Sequence, residues 1–184
     1  MTIDASHFKQ AMRQCAGAVA LVTVGAKQGK RTGLTVTSAC SLSDDPPSLI
    51  VCVNRNASAH ARIRADGAFA INFLHQEHAL LALTFSGQKG VNGDDRFAFG
   101  QWTTGITGAP ILEDAVAAFD CVLAQEFETK THSVFVGEVR NVLHTAEAAP
   151  LIYLRSGFHG VREIGNAISL GDLDARHLSW SDFS

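Results

Sequence analysis

Two long neighbouring segments in the second half of the chain alternate between apolar and polar residues, as strands with one buried face do. In residues 115–127, Phe119 and Phe127 fall on one face and Asp120 falls on the other. Residues 132–143 alternate in the same way after a short polar break. These two long strands follow each other without a helix between them, which departs from the alternation of strands and helices in a parallel sheet. A fold for this chain must therefore accommodate an antiparallel sheet.

The rest of the chain adds more strands and only a few short helices. Further strand-like runs are residues 19–24, 32–41, 48–53, 68–74 and 150–154. Helical patterns are confined to residues 8–15, 58–66 before Gly67, and 76–87. Strands and helices do not alternate regularly, which argues against a doubly wound parallel sheet. The pattern favours a mainly β, mainly antiparallel barrel or sandwich with a few short appended helices.

The chain reads as one domain. Its 184 residues suffice for one substantial core and show no repeats and no interdomain linker. A glycine-rich stretch over residues 88–110 is too long for an ordinary connection, and such loops are often functional. We predict a single domain over residues 1–184 with a core from about residue 8 to residue 161; the pattern weakens in the C-terminal tail.

Composition excludes several classes of function. Apolar residues make up 46% of the chain and charged residues 18%, which describes a well-buried globular protein that could cover part of its surface with a second copy. The net charge of -3 and the absence of a basic block argue against nucleic-acid binding. No apolar run reaches the length of a membrane span, and residues 1–15 are polar and amphipathic without the apolar h-region of a signal peptide. Four widely spaced cysteines in apolar segments indicate a reducing compartment, so we expect a cytoplasmic protein.

Common catalytic and binding motifs are missing or incomplete. Residues 25–30, "GAKQGK", resemble a phosphate-binding loop but are one residue short and lack the following Ser or Thr. No G-x-G-x-x-G is present, so a nicotinamide cofactor would have to bind in another way. The eight histidines are scattered without zinc spacing, and we predict no metal site. No nucleophile elbow is present either.

Residues 33–60, "GLTVTSACSLSDDPPSLIVCVNRNASAH", carry the most chemical information. A strand-like run with the small hydroxyls of Thr35, Thr37, Ser38 and Ser41 could let a flat ring lie close to its backbone. The helix that starts near residue 59 could be capped by Asn56 or Ser58, or could hold a phosphate instead. Residues 84–90, "TFSGQKG", form a second small polar turn. Together these features favour a bound phosphorylated ligand more than any one of them does.

These residues resemble the signature of the short-chain flavin reductase family, the reductase components of two-component flavin-dependent monooxygenases. The resemblance continues in order to about Val161 through the segments "FAINFL", "LTFSG", "DRF", "THSVFVGEV" and "LIYLRSGFHGV". It implies an FMN-binding type of split β-barrel that forms a homodimer, which agrees with the pattern of strands.

The resemblance also implies a flavin site, for FMN or FAD, built from four short segments. Two segments would contact the ring: Thr35, Thr37 and Ser38 would line it, and Cys52, Val53 and Asn54 would lie beside the ring and the ribityl chain. Ser58 and Ala59 would hold the phosphate. The fourth segment, Phe85, Ser86, Gly87 and Gln88, would close over the other side of the ring.

A nicotinamide site, for NADH or NADPH, is implied next to the flavin. His132 matches a family histidine near the nicotinamide, and it is the residue to which we assign a catalytic role. The segment Tyr153, Leu154, Arg155 and Ser156 matches one that folds against the reduced nucleotide. The family often has Gly-Asp before this histidine, whereas here Lys130 and Thr131 precede it.

The implied function is an NAD(P)H-dependent flavin oxidoreductase that passes a hydride from nicotinamide C4 to flavin N5. Reduced flavin would then diffuse to a partner oxygenase. The alternative is a protein on the same barrel that binds flavin tightly, as a sensor or a non-reductase flavoprotein. The two functions are distinguished by an assay of whether the protein uses NADH to reduce added free flavin over many turnovers.

Overall fold

The computed structural model describes residues 3–26, 30–145 and 148–162. Three short α-helices, α1 (Ala5–Met12), α2 (Ser58–Asp66) and α3 (Ala79–Phe85), accompany twelve strands within these residues. The strands are β1 (Gly17–Ala18), β2 (Ala20–Val24), β3 (Thr32–Val36), β4 (Cys40–Asp44), β5 (Pro47–Asn54), β6 (Ala68–Phe73), β7 (Trp102–Thr104), β8 (Pro110–Leu112), β9 (Ala117–Glu128), β10 (His132–His144), β11 (Ile152–Leu154) and β12 (Gly157–His159). The prediction of a mainly β chain with a few short helices is confirmed.

Seven strands form one antiparallel sheet in the order β3-β2-β6-β9-β10-β5-β4. The predicted pair of long strands is its centre, since β9 and β10 pair antiparallel along most of their length. Two smaller sheets accompany it: β1-β11-β12 and β7-β8. The tail from residue 163 and part of the turn predicted at residues 25–31 lie outside the described residues.

The expected split β-barrel is confirmed only in its mainly β character, because the large sheet is not closed into a barrel. The outer strands β3 and β4 do not pair with each other, so the large sheet stays open. The single strand predicted over residues 32–41 is instead two strands, because residues 37–39 carry the chain from one edge of the sheet to the other. Four residue steps span at most about 14 Å, so the two edges stay close even though they are not paired.

The strand β2 lies between two hydrophobic cores. All five of its residues are buried, and alternate side chains point to opposite faces. Leu21 packs into one core with α3, β8 and Phe97, while Ala20 and Val22 pack into the other with α2, β5 and Phe135. Helices on both faces of β2 therefore flank the neighbouring edge strand β3 on both sides as well.

The predicted helix over residues 58–66 is confirmed, and its end follows from local chemistry. Gly67 has φ +64°, a left-handed conformation that glycine adopts without a steric penalty. Its N–H donates to the Ile63 carbonyl and closes the helix. The predicted helix over residues 76–87 is a 3-10 turn, Gln76–His78, followed by α3.

Candidate functional site

A surface groove follows the edge strand β3 between the start of α2 and the end of α3. Its widest part encloses about 430 Å³ and is lined by residues from both helices, including Ser58 and Phe85. A narrower part of about 180 Å³ continues from it, because Thr35 and Ser86 line both. An edge strand also presents backbone N–H and C=O groups that no neighbouring strand uses. The groove therefore offers small side chains and free backbone over a long flat surface.

Three of the hydroxyls in this region are used by the fold itself. The Thr32 and Ser58 hydroxyls share a hydrogen bond of 2.6 Å, which ties β3 to α2. The Thr35 hydroxyl donates to the Ala82 carbonyl at 2.6 Å, which ties β3 to α3. These bonds hold the two walls of the groove at a fixed separation.

Ser38, predicted to line the ring, makes its hydrogen bonds to a neighbouring strand. Its Oγ donates to the Cys52 carbonyl at 3.0 Å and lies 3.3 Å from the Cys52 N–H, which can donate to it. This contact fastens the connection over residues 37–39 to β5 and keeps the two edges of the sheet together. Ser38 lines none of the three cavities in this region, so a contact between its side chain and a ligand stays a prediction.

The first turn of α2 opens into the groove. Its N-cap residue is Ala57, and no side chain caps the helix, so capping by Asn56 or Ser58 is wrong. Asn56 instead donates its N–H to the Asn54 side chain at 2.9 Å. Ala57 and Ser58 line the widest part of the groove. Uncapped N–H groups at the positive end of a helix suit an anionic group.

Arg96 adds a cation at the same end of the groove, and no motif in the sequence predicts this role. Its Nη1 donates to the Gly33 carbonyl at 2.6 Å and its Nε to the Val91 carbonyl at 2.9 Å. Nη2 makes no hydrogen bond within the described part of the chain, and Arg96 lines the cavity that Ser58 lines. Burial lowers the pKa of the Arg96 guanidinium, because desolvation disfavours its charged form. An arginine still keeps its charge at neutral pH, so a bound anion would offset that desolvation.

The segment that carries Arg96 is held in place by packing and charge. Phe97 packs against Phe85 and Trp102 with ring centroids 5.2 and 4.9 Å apart. The Arg31 guanidinium lies 4.6 Å over the Phe97 ring and also pairs with Asp94 at 2.7 Å. Hydrogen bonds from the Arg31 side chain, together with its charge, lower the pKa of the Asp94 carboxyl. The only hint in the sequence was the quoted "DRF" segment, Asp95 to Phe97.

The narrow part of the groove leads on to a second cleft of about 390 Å³. Thr37 and Tyr153 line both, so the space is continuous along one side of the molecule. Gln88 lines the narrow part, and Arg155 and Ser156 line the second cleft. The structure therefore brings together predicted residues from both the flavin set and the nicotinamide set.

Other predicted residues lie beside the groove instead of lining it. Val53 and Ala59 are fully buried, so only their backbone could meet a ligand. Cys52 is half-buried, and neither it, Gly87 nor Leu154 lines any of these cavities.

His132 is exposed and pairs with Asn54 across β10 and β5. Its Nδ1 lies 2.9 Å from the Thr131 hydroxyl, which orients the ring. Asn54 lines the wide part of the groove, so His132 lies at that end, away from Tyr153.

The start of α2 is anchored from behind by a buried hydrogen bond. His60 is buried, and its Nε2 lies 2.8 Å from the Ser133 hydroxyl of β10. The His60 ring also packs against Phe135 with centroids 5.2 Å apart. A fixed helix start is what a preformed anion site requires.

The arrangement can hold an elongated ligand with an anionic end and a flat end. The anion would lie at Arg96 and the start of α2, and the flat part would lie along Thr35 and Thr37. The described residues contain no helix long and apolar enough to cross a membrane. Cysteine chemistry is disfavoured at Cys121, whose pKa burial and the neighbouring Asp120 raise to about 12.

Comparison with known proteins agrees with this geometry. The family described as "Flavin reductase like domain" matches residues 12–162. The chain is 42% identical over 151 residues to "FMN reductase (NADH) RutF 2" of Methylorubrum extorquens (strain PA1), covering 82% of this chain and 86% of that protein. It is 36% identical over 154 residues to "FMN reductase (NADH) RutF" of Stutzerimonas stutzeri (strain A1501), covering 84% and 87%.

Two solved structures with the same fold are flavin-reducing enzymes. BorF, the flavin reductase component of a bacterial two-component tryptophan halogenase, superposes with a TM-score of 0.79 at 28% identity, covering 87% of this chain and 99% of that one. The NADH:FAD oxidoreductase SgcE6 of Streptomyces globisporus C-1027, in complex with NAD and FAD fragments, gives a TM-score of 0.78 at 26% identity, covering 91% and 99%.

The geometry at Ser38 predicts a stability defect. Ser38→Ala removes the hydroxyl that bonds the Cys52 backbone, so we expect a loss of about 0.5–1.5 kcal/mol in the free energy of unfolding, measured in urea. Ser41→Ala is the matched control, since Ser41 lies in the exposed strand β4 and should change stability by less than about 0.5 kcal/mol. Equal stability of the two variants would contradict the bridging role of Ser38.

Proposed function

This chain belongs to the flavin reductase-like domain family and is a flavin oxidoreductase, and from that premise we propose that it reduces FMN with NADH. The observation that carries the proposal is one continuous groove with an anion site at one end and three of the predicted nicotinamide residues, Tyr153, Arg155 and Ser156, at the other. The names of the curated relatives, FMN reductase (NADH), favour FMN and NADH over FAD and NADPH. The split-barrel description stays an expectation, because the sheet is open.

Residues of this chain fit a flavin. Arg96, Ser58 and the uncapped start of α2 would hold the phosphate. The small side chains of β3 would let the ring approach the backbone, with the Thr37 hydroxyl at its far end. When bound, flavin supplies the redox chemistry by accepting a hydride at N5 from nicotinamide C4. Since that transfer needs no acid or base from the protein, these residues act by holding two rings face to face and by stabilising negative charge.

The reduced flavin would leave this protein and serve a partner oxygenase. BorF is the reductase component of a two-component halogenase, which supports such a partner here. An open groove, lined partly by exposed residues such as Ser86 and Asn54, suits a ligand that must dissociate after each turnover. The single-domain organisation stays a prediction for residues 1–184, and a cytoplasmic location stays a prediction from composition.

A steady-state assay tests this function. Purified protein should oxidise NADH rapidly only when free FMN is supplied, and riboflavin, which lacks the phosphate, should show a higher KM than FMN. NADPH and FAD are assayed in parallel. NADH oxidation that stays at the rate without enzyme for every flavin would overturn the reductase function. Stoichiometric retention of flavin without turnover would favour the tight-binding alternative.

Arg96→Ala sharpens the same assay. Because Arg96 is assigned to the phosphate, the variant should raise the KM for FMN about tenfold or more and leave the KM for riboflavin nearly unchanged. Arg62→Ala is the control, as Arg62 pairs with Asp66 at the far end of α2. An equal effect of Arg96→Ala on both flavins would remove Arg96 from the phosphate site.

We propose that His132 contacts the nicotinamide nucleotide, as the family resemblance implies; because His132 lies beside Asn54 and away from Tyr153, this contact would be made at the wide part of the groove. Its exposed ring is oriented by Thr131, so one nitrogen remains for a ligand. His132→Ala should lower kcat/KM for NADH about three- to tenfold, the loss expected for one neutral hydrogen bond, and leave FMN affinity unchanged. Because His132 lies beside Asn54, a larger effect on FMN affinity than on NADH would place it on the flavin instead.

We also propose a homodimer. The edge strand β4 is exposed along its whole length, and Leu42 and Phe127 expose 53% and 57% of their surface. Exposed strand edges and apolar side chains are features that subunit contacts cover. Light scattering at micromolar concentration should give about twice the chain mass of 19.6 kDa. A value near the single-chain mass would refute the dimer.

A further inference from the structure

The groove along β3 is closed at the end that holds Arg96. Residues 33–35 of β3 line its widest part, whereas Thr32, the residue before them, does not. Thr32 is buried, and its hydroxyl is bonded to that of Ser58 across the end of the groove. On the other side, Arg96 Nη1 donates to the Gly33 carbonyl at 2.6 Å. The cavity therefore ends at Thr32, between the start of α2 and Arg96.

An ion pair stands directly behind this closed end. Arg31 is the residue before Thr32, and Asp94 lies in the 3-10 segment Gly93–Ala98, which also carries Arg96. The Asp94 carboxylate accepts hydrogen bonds from Arg31 Nε at 2.7 Å, from Arg31 Nη2 at 3.2 Å and from the Arg31 N–H at 3.2 Å. These three bonds join the start of β3 to the segment of Arg96 and reinforce the end wall of the groove.

The two arginines at this end differ in the charge that they offer to a ligand. Arg96 lines the cavity and keeps Nη2 free of hydrogen bonds within the described residues, whereas Arg31 lines none of the three cavities of this region. The Arg31 side chain is 16% exposed and is paired with Asp94, whose side chain is 49% exposed. Hydrogen bonds from the Arg31 side chain lower the pKa of the Asp94 carboxyl, so this group stays charged at neutral pH. An anion that extends past Arg96 would therefore meet the exposed carboxylates of Asp94 and Asp95.

We propose that Asp94, held in place by Arg31, makes this chain select FMN against FAD. The proposal rests on the proposed reductase function and on the flavin phosphate lying at Arg96 and Ser58. In FMN this phosphate is the end of the molecule, so it fits a closed end. In FAD a second phosphate and an adenosine follow it, and they would be pressed against the end wall with a further negative charge beside Asp94. A like charge placed against the wrong ligand is an effective way to discriminate between two similar ligands.

The test uses the full chain with the substitution Asp94→Asn. Asparagine keeps an oxygen that can accept the Arg31 N–H but carries no charge. Asp66→Asn is the matched control, because Asp66 also pairs with an arginine, Arg62, at 2.7 Å, and neither of these two lines the groove. The kcat/KM values for FMN and for FAD are measured for each protein at saturating NADH and low ionic strength.

Asp94→Asn should raise kcat/KM for FAD about three- to tenfold, through a lower KM, and change that for FMN less than about twofold. The reason is that the variant removes one exposed like charge from the path of the second phosphate. Loss of structure would weaken the binding of both flavins, so a gain for FAD distinguishes the charge of Asp94 from a role in folding. An unchanged value for FAD, or weaker binding of both flavins, would overturn the proposal.

Asp94→Glu provides a second variant, in which the charge is retained. This protein should keep the flavin preference of the unmodified chain. A gain for FAD as large as that of Asp94→Asn would show that the charge is not the cause, and the proposal would fail.

Salt gives a check on the unmodified protein. Raising NaCl from 50 to 500 mM screens exposed charges, so the ratio of kcat/KM for FMN to that for FAD should fall, and it should fall less in Asp94→Asn. A ratio that does not depend on salt in the unmodified protein would contradict a selection by charge. A protein that reduces FMN and FAD equally well would refute the selectivity and leave the reductase function intact, whereas reduction of neither flavin would refute the function itself.

Discussion

The site depends on the burial of β2 on both of its faces. A strand with no exposed residue needs packing on both sides of the sheet, and α2 and α3 provide it. Because β3 pairs with β2 at the edge of the sheet, the same two helices extend past β3 and become the walls of the groove. Because β2 needs a core on each face, a cavity forms beside β3, the edge strand that both helices also flank. A ligand in that groove would contact the backbone of β3 at its base, α2 at one wall and α3 at the other.

Much of this architecture follows from local patterns in the sequence. The alternation over residues 115–143 predicts β9 and β10, and Gly67 predicts the end of α2, since each rests on a rule that needs no distant partner. The family resemblance supplies the segments that form the groove. It does not decide whether the sheet closes, because pairing between β3 and β4 depends on the geometry of residues 37–39 and not on their alternation.

Roles of individual polar residues were harder to predict, for a physical reason. The hydroxyl of a Ser or Thr side chain can form its hydrogen bond equally well with a ligand or with a nearby backbone group. Thr35 and Ser38 use carbonyls of α3 and β5 for this purpose, and the sequence contains no sign of those partners. The role of Arg96 was not predicted because its position relative to α2 depends on the packing of Phe97, which lies more than thirty residues after the helix in sequence. A local sequence pattern does not show which distant segments of the chain contact each other.

The connection over residues 37–39 differs from most loops in what it can tolerate. Loops on a protein surface usually accept insertions, since their length constrains nothing else. Here three residues join the two edges of an open sheet, and Ser38 fastens them to β5 while Thr37 borders both clefts. One added residue would loosen the edges relative to each other and change the shape of both clefts at once. Variation in length during evolution should therefore be confined to other connections, such as the glycine-rich stretch after Gly87.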